Sequence, residues 1–225
     1  MAVFHADKNY FYGEVMLKNF MAAAVLLVFV LSASAQETPV SNELELSAAI
    51  SGSGDILITT ADFALTGAVG IPTGANLYIH AASTPTYFKG ESSVKIFDIQ
   101  NSNVSFKDIG FKDMQGNIFI NADNSILSFE NAAFENNDSG NADSGFVFID
   151  GSDIGFSGQT NFTSNIGQSG GGFYAESSNV SFSADVKFTD NKSLFSSGGA
   201  VRASVASSSG LVSGSFLTSF SGSGK

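Results

Sequence analysis

Alternating apolar and polar positions between residues 94 and 220 are arranged in a longer repeat. Residues 145–170 read GFVFIDGSDIGFSGQTNFTSNIGQSG, and residues 171–197 read GGFYAESSNVSFSADVKFTDNKSLFSS. Each copy begins with glycine and a run that alternates by twos, and each has a Phe six residues before a Phe-x-x-Asn unit. Alternation by twos is typical of a half-buried β-strand and not of a helix. The pattern therefore predicts an array of strand-based repeats.

The same landmarks recur on both sides of these two copies. The Phe-x-x-Asn units are Phe134–Asn137, Phe162–Asn165 and Phe188–Asn191, with degenerate copies at Phe111–Met114 and Phe216–Ser219. The repeats begin at Val94, Gly116, Gly145, Gly171 and Gly198, so the periods are 22, 29, 26 and 27 residues. A period that varies while its landmarks persist favours strands joined by turns that accept insertions.

These repeats predict an all-β fold, a right-handed parallel β-helix in which each repeat forms one coil. Strands of neighbouring coils would then pair at roughly 4.8 Å, and equivalent residues would stack. We expect an inward phenylalanine ladder and, at one turn, an asparagine ladder. The members are Phe111, Phe134, Phe162, Phe188 and Phe216 in the first and Asn137, Asn165 and Asn191 in the second. An antiparallel sandwich with recurring turns is the alternative.

We expect residues 36–93 to form an N-terminal cap and the first, less regular coils. Residues 94–225 are expected to form the repeats. Residues 41–50 resemble a short amphipathic helix, because Glu45 follows Asn42 at capping-box spacing and Leu44, Leu46 and Ile50 are apolar. Strands are expected at residues 56–58 and 77–79, with a turn at residues 71–74 between them. A helix across the open end of a solenoid would cover its exposed strand edges.

The first 35 residues predict export. Residues 16–35 resemble a secretory signal peptide, with Lys18, an apolar run over residues 21–31 and a small-x-small cleavage site ending at Ala35. That run of 11 residues is short for a membrane span, which needs roughly 20. Residues 1–15 are interpreted as an upstream mis-start or an extended n-region. After Phe220 the chain reads SGSGK, so we expect the repeats to be truncated at the C-terminus.

Composition narrows the classes of function. The chain has 22 Phe and 24 Gly, which suits an apolar ladder with tight turns, and no Cys, which excludes thiol chemistry. Its net charge is −11, and Arg202 is its one arginine. Because phosphate binding needs Lys and Arg, nucleic-acid binding is not expected.

The candidate catalytic residues of this sequence are several acids and one histidine. Glycoside hydrolysis needs two carboxylates at a set separation, for which Asp150 and Asp153 are the nearest pair. The other acids considered are Asp98, Asp108, Asp113 and Asp123, which are scattered and expected to be solvated. His80 is expected to be a turn or surface residue and not a base. The glycines at 170–172 lack the residues of a phosphate loop and predict a tight turn. The sequon at 161–163 contains an inward Phe162. We therefore expect no catalytic, cofactor-binding or metal site.

The Phe-x-x-Asn units and the Gly-Gly-apolar openings at 171–173 and 198–200 resemble those of the chlamydial polymorphic outer membrane proteins, whose passengers are autotransporter β-helices. The likeness covers roughly residues 41–220. It implies a bacterial cell-surface, outer-membrane or extracellular location. Members of that family end in a membrane barrel for which this sequence has no room. Outer-membrane association is therefore expected only through such a missing domain or through a partner.

The function predicted from these features is binding, as an adhesin-like rod that presents variable turns and has no enzymatic activity. The expected partner is a protein or glycan on a host or neighbouring cell. Residues 137–144 and 166–170 are the turns expected to form the contact face. A carbohydrate-active β-helix protein, lyase or hydrolase, is the alternative, and a non-functional remnant of an adhesin gene is a third possibility.

Overall fold

The computed structural model describes residues 36–52, 54–91, 95–116, 118–140, 146–182, 185–194, 201–204 and 212–213. The expected signal peptide, residues 1–15, Phe216, Phe220 and the repeat starts at Val94, Gly145 and Gly198 lie outside these residues. The described residues from Glu37 onward belong to one compact unit.

The described elements are 22 strands and one helix. They are β1 Thr38–Val40, α1 Glu43–Ile50, β2 Gly54–Ile58, β3 Asp62–Ala64, β4 Val69–Gly70, β5 Asn76–Ala81, β6 Thr86–Glu91, β7 Phe97–Gln100, β8 Asn103–Lys107, β9 Ile109–Gln115, β10 Ile120–Asp123, β11 Ile126–Glu130, β12 Ala133–Glu135, β13 Val147–Asp150, β14 Asp153–Ser157, β15 Thr160–Thr163, β16 Ile166–Gly167, β17 Phe173–Glu176, β18 Asn179–Phe182, β19 Val186–Thr189, β20 Lys192–Ser193, β21 Val201–Ser204 and β22 Val212–Ser213.

These strands stack into three parallel sheets, so the predicted parallel β-helix is confirmed and the antiparallel sandwich is excluded. Sheet A has the order β1-β2-β5-β8-β11-β14-β18-β22, sheet B the order β3-β6-β9-β12-β15-β19 and sheet C the order β4-β7-β10-β13-β17-β21. A two-stranded sheet, β16-β20, lies at one corner. Every pairing among the described strands is parallel, because each strand hydrogen-bonds to its equivalent one coil away.

Coil lengths read from sheet A are 23, 27 and 26 residues, since Phe106 pairs with Phe129, Phe129 with Phe156 and Phe156 with Phe182. The same registers run back through β2 and β5, so the first coils belong to the same stack as the repeats. Insertions in the longer coils fall at corners. The strands themselves stay in phase.

Two parallel phenylalanine ladders run through the core. The predicted ladder of sheet B is confirmed for Phe111, Phe134, Phe162 and Phe188, and it also includes Phe63 and Phe88. A second ladder in sheet A consists of Phe106, Phe129, Phe156 and Phe182. From Phe106 and Phe111 onward, rings within a ladder stack at centroid distances between 4.4 and 5.4 Å, whereas Phe88 meets its ladder neighbours Phe63 and Phe111 edge to face. Rings facing each other between ladders, such as Phe129 and Phe134, also meet edge to face, at 5.3 Å. Both are preferred aromatic geometries.

The asparagine ladder is confirmed at the corner between sheets B and C. Asn137 and Asn165 are fully buried, and Asn191 is 7% exposed. The Asn137 Nδ2 donates to Asn165 Oδ1 at 2.9 Å, and the Asn165 Nδ2 donates to Asn191 Oδ1 at 2.8 Å. The Oδ1 atoms of Asn165 and Asn191 also accept the backbone N–H of Asn137 and Asn165, respectively. Each of these side chains therefore provides a hydrogen-bond partner for the backbone of the turn in the preceding coil.

A serine ladder that the sequence did not lead us to expect occupies the corner between sheets C and A. Ser102, Ser125, Ser152 and Ser178 are buried. Each of the last three hydroxyl oxygens accepts the backbone N–H of the preceding serine at 3.0–3.1 Å. The residue before each serine has a positive φ, as in Asn101 and Asn124, so the chain turns sharply before the buried hydroxyl.

Helix α1 covers the N-terminal end of the stack, as expected. Its N-cap is Asn42, whose side chain accepts the Glu45 N–H at 3.0 Å, while the Glu45 carboxylate accepts the N–H of Ser41 and not that of Asn42. Leu46 and Ile50 are buried, whereas Leu44, the third apolar residue noted in this segment, is 81% exposed. Leu44 points away because it is offset from the stripe that the other two residues share.

The Glu43 carboxylate fastens this helix to the coil below. It accepts the N–H and the hydroxyl of Thr66 at 3.0 and 2.7 Å and the N–H of Gly67 at 2.8 Å. Burial raises the pKa of Glu43, but the hydrogen bonds from Thr66 and Gly67 outweigh burial, so the pKa lies below its ordinary value.

Candidate binding surface

The outer face of sheet B contains a groove that follows from the strand register. The outward positions Tyr87, Gly110, Ala133 and Asn161 pair in sequence from β6 to β15. Two small residues therefore lie between an aromatic ring and an amide on successive coils. Because coils are roughly 4.8 Å apart, the row runs for about 14 Å along the helix axis.

The Tyr87 ring packs closely against Gly110. A side chain at Gly110 would overlap the Tyr87 ring, so the glycine is what allows the ring to occupy this position. The Lys112 Nζ is 5.4 Å from the ring centroid, a cation–π contact, and the Tyr87 hydroxyl is 3.5 Å from Glu135 Oε1. Burial, followed by the Glu135 charge, raises the pKa of Tyr87, so the phenol remains a hydrogen-bond donor at neutral pH.

The groove beside this row has a volume of about 390 Å³, within the range of small-ligand pockets. Its polar wall is the corner between sheets A and B. There the Asn131 Nδ2 donates to Asp108 Oδ1 at 2.9 Å, and Asn131 Oδ1 accepts the Gln159 N–H at 3.1 Å. Asp108 and Asn131 have positive φ, which suits their short polar side chains. The wall thus offers carboxylate and amide groups already held by one another.

Two ion pairs join adjacent coils, one on sheet B and one on sheet A. Lys112 Nζ is 3.4 Å from Glu135 Oε2, and Lys107 Nζ is 3.1 Å from Glu130 Oε1. The hydrogen bond that each lysine donates to its partner carboxylate raises the pKa of both lysines. These pairs are partly exposed, so they order the side chains and contribute little stability.

The acids considered from sequence lie at corners and on the outer faces of the sheets. Asp150 and Asp153 flank the corner at Gly151, and Asp153 Oδ1 accepts from the Asn179 amide at 2.7 Å. Asp98 accepts from Asn121 and Asp113 from Asn136, each across one coil. Asp123 pairs in register with Asp150 on the outer face of sheet C.

His80 is a surface residue of a strand and not of a turn, because it lies in β5 on the outer face of sheet A. It lies in β5 with a half-buried side chain, and its ring stacks on Tyr78 at 4.9 Å. Its Nε2 is 2.9 Å from Asp55 Oδ1 and 3.7 Å from Glu37 Oε1. Among the residues that the structure describes, Glu37, Asp55 and His80 are the one group of acidic and histidine side chains close enough to hold a metal ion.

The second expected contact turn is also corrected. Residues 166–170 are not a free loop, because Ile166 and Gly167 pair with β20 and both Ser169 and Gly170 are buried. Gly170 has a φ of +85°, which agrees with the tight turn predicted at the glycines. Of the first turn, residues 137–140 are described, and Asn137 and Ser139 are buried.

Arg202 has a structural position. Its guanidinium lies 5.1 Å from the Tyr174 ring centroid, and its Nη1 donates to Ser169 Oγ at 2.9 Å. The arginine therefore joins β21 to the coil before it and lies on sheet C, away from the groove on sheet B.

No described helix has the length and apolar character needed to cross a membrane. Comparisons of the chain with protein-family models, with curated proteins and with solved structures gave no match. The likeness to the polymorphic outer membrane proteins therefore stays a prediction from the repeats.

Proposed function

We propose that this chain is a binding module of the exported, cell-surface β-helix type, and that the groove on sheet B takes a hydroxyl-rich ligand such as a glycan of a host or neighbouring cell. The observation that carries this proposal is the close packing of the Tyr87 ring against Gly110, beside a wall of Asp108, Asn131 and Gln159. The likeness of the repeats to autotransporter passengers supports the surface location.

The chemistry of the groove suits a sugar. The face of an aromatic ring offers an apolar platform for the C–H face of a sugar ring, while carboxylate and amide oxygens accept from its hydroxyls. The row of outward positions runs along the helix axis, so a linear glycan would lie across several coils. An anionic glycan is less suitable, since the chain carries a net charge of −11.

Binding is favoured over hydrolysis by the carboxylates present. Among the described residues that line the groove, Asp108 supplies the one carboxylate, and the Asn131 amide already donates to it. A glycosidase of the usual type needs two carboxylates facing one bond. The alternative of a carbohydrate-active enzyme predicts shortened oligosaccharides after incubation with the chain.

The test is binding of the full chain to an array of neutral and acidic glycans, followed by titration of the best ligand. Replacement of an aromatic anchor at the centre of a site costs about 2 kcal/mol, so Tyr87→Ala should weaken binding roughly 30-fold. Tyr174→Ala is the matched control, because this outward tyrosine lies on sheet C. The proposal fails if no glycan binds, or if the two variants bind with equal affinity.

Export is tested separately. Expression with its own N-terminus in a Gram-negative host should yield a secreted or periplasmic chain that begins at Gln36, as read by mass spectrometry. A chain that keeps residues 1–35 and stays in the cytoplasm would contradict the export proposal and leave the binding proposal intact.

A further inference from the structure

Three polar side chains converge on the outer face of sheet A at the N-terminal end of the stack. Asp55 lies in β2 and His80 in β5, which are adjacent strands, and Glu37 directly precedes β1. Continuing the register of β1 with β2 places Glu37 opposite Asp55. The three residues are 18 and 25 positions apart in sequence, and only the coiling of the chain brings them together.

The contact between His80 and Asp55 is close but is not a hydrogen bond. The two atoms His80 Nε2 and Asp55 Oδ1 are 2.9 Å apart, yet neither makes a hydrogen bond, and both are shielded from solvent. The separation fits an ion pair, whereas the direction of a ring N–H does not meet the oxygen. Buried polar atoms without partners cost free energy, so such a pair calls for an explanation.

A cation between the ligand atoms would satisfy both. Bonds of about 2.0–2.2 Å to a tetrahedral Zn²⁺ place neighbouring ligand atoms about 3.4 Å apart. The observed separations from Nε2 are 2.9 and 3.7 Å, and all three ligand atoms lie within 4.8 Å of one another. Glu37, which is half-exposed, has the freedom to make the remaining adjustment.

The surroundings fit a metal ligand set. The stack of Tyr78 on the imidazole fixes the orientation of the ring. Lys107, the register neighbour of His80, has its ammonium engaged with Glu130 at 3.1 Å. Two carboxylates would neutralise a divalent ion.

We propose that Glu37, Asp55 and His80 bind one divalent transition-metal ion of the Zn²⁺ type, with a water molecule as fourth ligand. An imidazole nitrogen beside two carboxylates suits Zn²⁺, whereas Ca²⁺ and Mg²⁺ prefer oxygen ligands alone. The ion joins the segment before β1 to the next two strands of sheet A. The ion therefore has a structural role in the first coil, and this role is independent of the groove on sheet B.

The experiment uses the full chain without a polyhistidine tag, stripped with a chelator and titrated with ZnCl₂ against a fluorescent zinc indicator. We expect one equivalent to bind and the melting temperature to rise with Zn²⁺ and not with Ca²⁺. His80→Asn should lower the affinity by about 100-fold, and Glu37→Gln, at a half-exposed position, by about tenfold.

Two control variants should bind Zn²⁺ as the parent chain does. Glu130→Gln removes a carboxylate of the same outer face that belongs to no metal group, and His5→Ala removes the other histidine of the sequence. The proposal is overturned if the parent chain takes up no stoichiometric Zn²⁺, if Ca²⁺ binds instead, or if Glu37→Gln and His80→Asn both bind Zn²⁺ like Glu130→Gln.

Discussion

The asparagine ladder offers the sharpest test of what holds the coils in register, and Asn165→Ala is the substitution to make. The Asn165 side chain takes part in four hydrogen bonds. Its Nδ2 donates to Phe134 O at 2.8 Å and to Asn191 Oδ1 at 2.8 Å, and its Oδ1 accepts the backbone N–H and the Nδ2 of Asn137 at 3.1 and 2.9 Å. Alanine removes all four.

The magnitude follows from the groups left behind. The Asn137 N–H, one proton of the Asn137 amide and the Phe134 carbonyl lose these partners in a site where Asn137 and Phe134 are fully buried. A buried group that loses its partner costs about 1–3 kcal/mol. Because the corner can relax in part, we expect Asn165→Ala to lower the free energy of unfolding by about 3–5 kcal/mol. Typical domains have about 5–15 kcal/mol in total.

Urea unfolding followed by far-UV circular dichroism gives the measurement, with the change read from the midpoint at constant slope. Asn179→Ala is the matched control, since Asn179 is exposed and its amide donates to Asp153 on the surface. The control should lose no more than about 0.5 kcal/mol. Asn165→Asp keeps the acceptor, loses the donors and buries a charge, so it should be at least as destabilising as alanine. Equal losses for Asn165→Ala and Asn179→Ala would refute the reasoning.

Three further predictions concern the core, a close backbone approach and the helix at the N-terminal end. Phe134→Ala removes a ring stacked at 5.2 and 4.4 Å on its two ladder neighbours and should cost about 3–5 kcal/mol by urea unfolding; a loss under 1 kcal/mol would mean that the ladder is not the core. Gly90→Ala should destabilise the chain by about 1–3 kcal/mol in the same assay, because its Cβ would overlap the Leu65 carbonyl oxygen, and an unchanged midpoint would contradict that packing. Glu43→Gln should lower the melting temperature at pH 7, where the carboxylate accepts a hydrogen bond from Thr66. Because folding lowers the pKa of Glu43, the difference in melting temperature from the parent chain should persist down to about pH 5 and shrink below the ordinary Glu pKa of about 4.3. A difference that does not depend on pH would argue against a charged Glu43 carboxylate.

The sequence was informative wherever one uncommon residue type returned at the same place in each coil. Phe134 and Asn137 are conspicuous, and the structure stacks them as expected. The serine ladder was not predicted, because serine is frequent at exposed positions of this chain and not only at the buried corner. Its signal was nevertheless present, since Ser102 and Ser125 each follow an asparagine directly before a strand.

The groove and the metal group were not predictable in the same way. Tyr87 and Gly110 become neighbours only through the register of β6 with β9, which lies at the boundary between the irregular coils and the repeats. Glu37 and His80 lie in coils without the repeat landmarks, so no periodicity marked them. Physical proximity in a solenoid depends on coil length, and the length of the first coils cannot be read without their landmarks.

The direction of the hydrogen bonds between coils has a mechanical consequence. They run along the helix axis, so a pull on the two ends of the stack loads one coil at a time and not all coils together. Each coil contacts only its neighbours, and it can therefore be peeled away as a separate step. Coils of 23, 27 and 26 residues would each release about 80–95 Å of extended chain. A stretched molecule should lengthen in a staircase whose step heights report the coil lengths in order.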